Sequence, residues 1–156
     1  MAGALKFQPA NSAFGVAAAS RLWVDSMPFF VQELGILVER IETARPSGAA
    51  PDWQPGAILR LPCTRALSRD GVLCSQALAV FADIAMLLAC CAAWNGYRPM
   101  SPIDHAMHFM RTVNVDVLAD ARIARMGRTT SFGRVMLLSA VDHRPVGMFS
   151  SAYAIL

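Results

Sequence analysis

Hydrophobic and polar positions change rhythm several times along this 156-residue chain, and each rhythm predicts an element. Val113, Val115, Val117, Ala119, Ala121 and Ile123 fall on alternate positions, with Asn114, Asp116, Asp120 and Arg122 between them, which predicts a half-exposed strand. It runs into a turn at Arg125, Met126, Gly127 and Arg128, where Gly127 supplies permissive backbone. SFGRVMLLSAV predicts a second strand up to the turn at Asp142, His143, Arg144 and Pro145, and GMFSSAYAIL closes the sheet. Upstream, Ser20 to Leu34 carries apolar residues at helical spacing that Pro28 divides into two pieces of a cover helix. Two strands follow, GILVERIETA from Gly35 and AILRLPCTRAL from Ala57, joined by a Pro/Gly/Ala-rich loop over 45–56.

The strongest signal lies between those halves. Val72 to Trp94 is a run of 23 residues in which the only formal charge is Asp83. About 20 residues of helix cross a bilayer core, but no Lys/Arg cluster flanks this run and the rest of the chain has an ordinary soluble composition. A central helix of a globular domain is the better reading, ended by Asn95, Gly96 and Pro99 before a new strand near Ser101. A helix apolar on every side must be covered on every side, by a sheet or by another subunit. Taken together the elements predict an α+β domain spanning 1–156, with one antiparallel sheet packed on the helix and 1–33 forming an N-terminal cover.

Composition narrows the partners. With 55% hydrophobic and 16% charged residues, part of the surface is expected to be covered by a second copy. The net charge of +3 comes without a basic stripe, which argues against nucleic acid. Gln8, Asn11 and Ser12 interrupt any signal-type apolar core at the N-terminus, and Cys63, Cys74, Cys90 and Cys91 form no disulfide framework, so a cytoplasmic chain with reduced thiols is expected. His105 and His108, three apart on a strand, would point to opposite faces and not share a metal; with His143 they read as solvated or structural. No metal or other cofactor is expected.

Asp83 is the candidate centre of chemistry, because an ionised carboxylate among apolar residues is costly unless something specific holds it. GVLCSQALAVFADIA resembles the helix start of hotdog-fold acyl-CoA thioesterases of the phenylacetic-acid-degradation type, whose pattern is G-x-x-H-G-G-x-x-x-x-x-x-D. IDHAMHFMRTV is similar to the family's V-D-x-x-x-x-F-x-R-P strand, and ADARIARMGRTTSFGRV to its A-x-V-x-R-x-G-R strand and turn, so the resemblance spans about 28–156. It implies a long helix wrapped by a curved antiparallel sheet, and dimers, or dimers of dimers, with sites at the subunit interface. It also implies acyl-CoA as substrate and Asp83 as general base for water or nucleophile on the thioester carbonyl.

The chain departs from that pattern where the family has His-Gly-Gly, carrying Cys74, Ser75 and Gln76 instead, and Ser68 stands where some members have Asn. The Ser75 N–H remains available as an oxyanion donor at the helix N-terminus. Cys74 as a nucleophile lacks an evident partner base. Ser68, Gln76 and Ser101 are candidates to orient water or substrate, Arg111, Arg125 and Arg128 to hold CoA phosphates, and Phe81 and Met86 to line an acyl slot. The alternatives are a non-catalytic acyl-CoA-binding protein on the same scaffold, favoured by the lost His-Gly-Gly, and a hydratase or dehydratase, for which the acid and His pairing near the helix start is missing.

Overall fold

A computed structural model describes residues 13–156; the expectations for the first 12 residues lie outside it. Two short helices, α1 (Val16–Ser26) and α2 (Phe29–Gln32), are separated where Pro28 was expected to divide them. Strands β1 (Leu37–Glu42) and β2 (Gly56–Leu61) follow, then a 3-10 turn and the small hairpin of β3 (Ser68–Arg69) and β4 (Val72–Leu73). The long helix α3 (Ser75–Trp94) leads to β5 (Met100–Phe109), β6 (Val117–Met126), β7 (Thr130–Ser139) and β8 (Pro145–Ile155). Six strands make one antiparallel sheet in the order β1-β2-β6-β7-β8-β5.

Helix α3 lies across this sheet and packs on β1, β2, β6, β7 and β8. Its Phe81, Met86, Leu88, Cys90 and Cys91 are fully buried, and the inward positions Val117, Ala119 and Ala121 of β6 meet them as the alternation required. Although α3 is long and apolar enough to cross a membrane, most of its apolar stretch is buried by its own sheet. The approach is close at Gly133 of β7, where a Cβ would fall 2.2 Å from the Met86 terminal methyl and 2.8 Å from the Arg122 carbonyl oxygen. Asn95 ends the helix in the left-handed conformation (φ 55°), and its Oδ1 accepts from the Phe14 N–H at 2.6 Å.

Three expectations need correction. The alternation at Val113 and Val115 is not strand: β6 begins at Val117, because Asp116 turns its carboxylate to the Cys63 N–H (2.9 Å) and Arg60 (3.5 Å) while the Leu73 N–H takes the Val113 carbonyl (2.9 Å). The β2 segment stops at Leu61, and Cys63 to Leu67 forms the turn that feeds β3. Gly127 is required by space instead of by a left-handed backbone. Its N–H donates to the Thr130 carbonyl at 2.7 Å, and a Cβ would stand 3.0 Å from that oxygen.

One face of α3 stays open. Val80, Asp83, Leu87 and Trp94 are only partly covered, and their spacing of three, four and seven makes a single stripe along the helix. At the β5 edge, Ile103, Phe109 and Met110 are at least half exposed. The opposite edge, β1, carries Glu39, Arg40 and Glu42 and a register shift, features that discourage further strand pairing.

Candidate functional site

Asp83 sits in that stripe, midway along α3, with its side chain 40% exposed in the single chain. The sequence led to an expectation of a dry carboxylate; one chain alone does not enclose it. What holds it is specific. The Tyr153 hydroxyl, from the inward face of β8, donates to Asp83 Oδ1, and His105 Nε2, from β5, lies 3.4 Å from the same oxygen. The His105 ring packs edge-on against Phe149 (centroids 5.0 Å) and tilts over Tyr153 (5.5 Å). Burial, then the Asp83 charge, push the Tyr153 hydroxyl far above the ordinary tyrosine range, so it stays protonated as a donor. Cys90 and Ser131 lie behind, 3.4 Å apart and fully buried, with the Cys90 thiol pushed up to about 11 mainly by burial.

Neither Tyr153 nor His105 was a candidate in the sequence. His105 had been read as solvated or structural; the strand placement was right, but the ring turns to Asp83. A signal for Tyr153 was present. The inward positions of β8 read Phe149, Ser151 and Tyr153, putting two hydroxyls on a face that must meet the helix.

The helix N-terminus forms a second centre. Cys74 is the N-cap and makes no side-chain cap, while its N–H donates to the Leu67 carbonyl at 2.9 Å. Ser75 and Gln76 are exposed, with Ser75 Oγ 3.3 Å from Gln76 Oε1. Ser75 shares a cleft of about 320 Å³ with Leu73, Leu78, Phe109, Met110, Arg111 and Thr112. Arg111 also reaches the Arg144 carbonyl (3.2 Å) and Asp142 (3.5 Å). Asp142 is held well below the usual carboxylate range, to about 2, by the Ser139 hydroxyl first and then by the Arg144 N–H and Arg111.

Other candidates lie apart from these centres. Ser68 donates to the Thr64 carbonyl at 2.7 Å, with Cys63 Sγ 3.7 Å from its hydroxyl, at the start of β3 and away from Asp83 on α3. Ser101 is exposed at the start of β5, opposite Ala154. Arg125 and Arg128 stand near the β6–β7 turn, whereas Arg111 is at the other end of the sheet; ten strand residues at about 3.3 Å each separate them by about 30 Å. The three arginines do not surround one ligand within a chain. Phe81 and Met86 are packed core with no exposure and line no slot. Among the described residues, no group of three or more His, Cys, Asp or Glu side chains could hold a metal ion.

No family model matches the sequence, and no curated protein matches it. Solved structures do match. The PaaI protein of the phenylacetic acid degradation operon of E. coli superposes with a TM-score of 0.71 over 90% of this chain and 93% of its own, at 14% identity. Zebrafish thioesterase superfamily member 2 gives 0.71 over 90% and 98%, at 18% identity. Many further solved structures match this chain as well. This chain has the hotdog fold. S. sahachiroi AziG, at 19% identity and a TM-score of 0.66 over 83% and 97%, shares the hotdog fold as well. At these identities the likeness establishes architecture, and chemistry must be argued from the residues themselves.

Proposed function

We propose that this chain is an acyl-CoA thioesterase that hydrolyses a thioester to the free acid and CoA at sites completed between two copies. The observation that carries the proposal is Asp83, a partly exposed carboxylate on an otherwise apolar helix face, fixed at Oδ1 by Tyr153. Engagement of Oδ1 favours a general base over a nucleophile. Oδ2 takes a proton from water, the water oxygen bonds to the carbonyl carbon, and the C–S bond breaks with CoA leaving as the thiolate, which then takes up a proton.

Geometry supports the need for a second copy. Ser75 precedes Asp83 by eight residues on one helix, about 12 Å of rise, too far for its N–H and the carboxylate to serve one carbonyl. Antiparallel pairing of β5 with the same strand of a partner would cover the exposed Ile103 and Phe109 and bring opposite ends of the two sheets together. Arg111 of one copy would then approach the end that carries Ser101, Arg125 and Arg128 in the other, where arginine forks suit phosphate oxygens. A homodimer is the minimum assembly of this reading.

Turnover of a panel of acyl-CoAs, read as released thiol, tests it. Asp83→Asn should lower kcat by about 10²–10⁴ at preserved fold. A second reading, acyl-CoA binding without turnover, is favoured by Ser75 and Gln76, whose side chains stand together at the helix start. It prevails if wild type releases no thiol while acyl-CoAs raise its Tm.

A further inference from the structure

We propose that His105 is a positioning residue for Asp83. The inference rests on the thioesterase reading above and adds a positioning residue to it. Tyr153 and His105 approach the same oxygen, Oδ1, from two strands. The imidazole is itself fixed by Phe149 and Tyr153, so its reach to the carboxylate does not depend on a freely rotating side chain.

The titratable groups facing the ring are Asp83 from α3 and Tyr153 from β8, with Cys90 of α3 buried behind them. On β5 itself, Asp104 and His108 are exposed, and the Asp104 carbonyl accepts from Ser151 Oγ at 3.1 Å. Among the described residues, Asp83 is the carboxylate that faces the ring. In the proposed arrangement the imidazole presents Nε2–H toward Oδ1 across 3.4 Å, which orients the carboxylate and leaves it able to accept a proton from water.

Two variants separate positioning from bulk. His105→Gln keeps an N–H donor in place of the imidazole; kcat should fall by less than about tenfold with KM unchanged. His105→Phe keeps the aromatic packing without a donor, and kcat should fall by about 10–100-fold. A wild-type kcat in His105→Phe, or a loss in His105→Gln as large as that in His105→Phe, overturns the proposal while leaving the thioesterase reading intact. Nitrogen NMR of the imidazole checks the pair without turnover: His105 should hold the Nε2–H tautomer in wild type and lose that preference in Asp83→Ala. Unchanged tautomer populations would refute the positioning role even if no acyl-CoA is hydrolysed.

Discussion

Tyr153→Phe removes one oxygen from the centre of the molecule and leaves the ring packed, which makes its cost calculable. Tyr153 is 3% exposed, so Phe retains nearly all of the buried apolar surface. What goes is a hydroxyl donating to a carboxylate, a kind of bond that contributes about 1.5–3 kcal/mol when both partners are dry. Asp83 is 40% exposed, so water can replace part of the donor, and the expected cost is about 1–2 kcal/mol. For a chain of this length that corresponds to a Tm lower by about 3–6 °C. Urea unfolding of wild type, Tyr153→Phe, Asp83→Ala and the double variant, at one protein concentration, gives the coupling directly, expected near 1 kcal/mol. The sign with pH is fixed as well. Because the folded state raises the Tyr153 hydroxyl, its contribution is intact below the ordinary tyrosine value of about 10 and is lost as pH rises above it. Wild type should thus lose stability above about pH 10 more steeply than Tyr153→Phe. A coupling of zero, or identical alkaline limbs, would refute the claim that Tyr153 holds Asp83.

Ile103→Lys places a charge on the exposed apolar edge of β5 and should leave a folded monomer by sedimentation velocity, with thiol release abolished although Asp83 is untouched; an active monomer contradicts a shared site. Burial pushes the Cys90 thiol up to about 11 and Cys91 higher still. Iodoacetamide at neutral pH should therefore modify Cys63 and Cys74, which are partly exposed, and reach the other two only after denaturant is added, as mass spectrometry of the labelled peptides would report.

Much of this architecture was legible because its signals are local. The period-two pattern from Val117 to Ile123 predicts a strand with one dry face, and those inward residues are indeed buried. Pro28, Asn95 and the Asp142 to Pro145 turn each stop an element by their own backbone chemistry. Alternation misled where a side chain captured the backbone: Val113 and Val115 keep the rhythm, yet Asp116 bonds the Cys63 N–H and the ladder starts one residue later. Asp83 was visible because nothing else in its run is charged. Its partners were not, since Tyr153 lies 70 residues further on and His105 reaches it from the sheet edge, a closeness set by strand order alone.

The exposure of Asp83 bears on what the helix is for. Its stripe of Val80, Asp83, Leu87 and Trp94 would be ordinary core but for the acid, and an apolar stripe of that length costs stability if left in water. One sheet covers the other faces of α3 and leaves this one, so the requirement that an all-apolar helix be covered on every side is met only in part by the chain itself. The same gap leaves Asp83 partly exposed, as the proposed hydrolysis requires. A protein built for stability alone would have closed the stripe with a leucine at position 83. On the proposed thioesterase reading, a carboxylate kept there with a tyrosine and a histidine directed at it is the arrangement expected where local stability has been traded for chemistry.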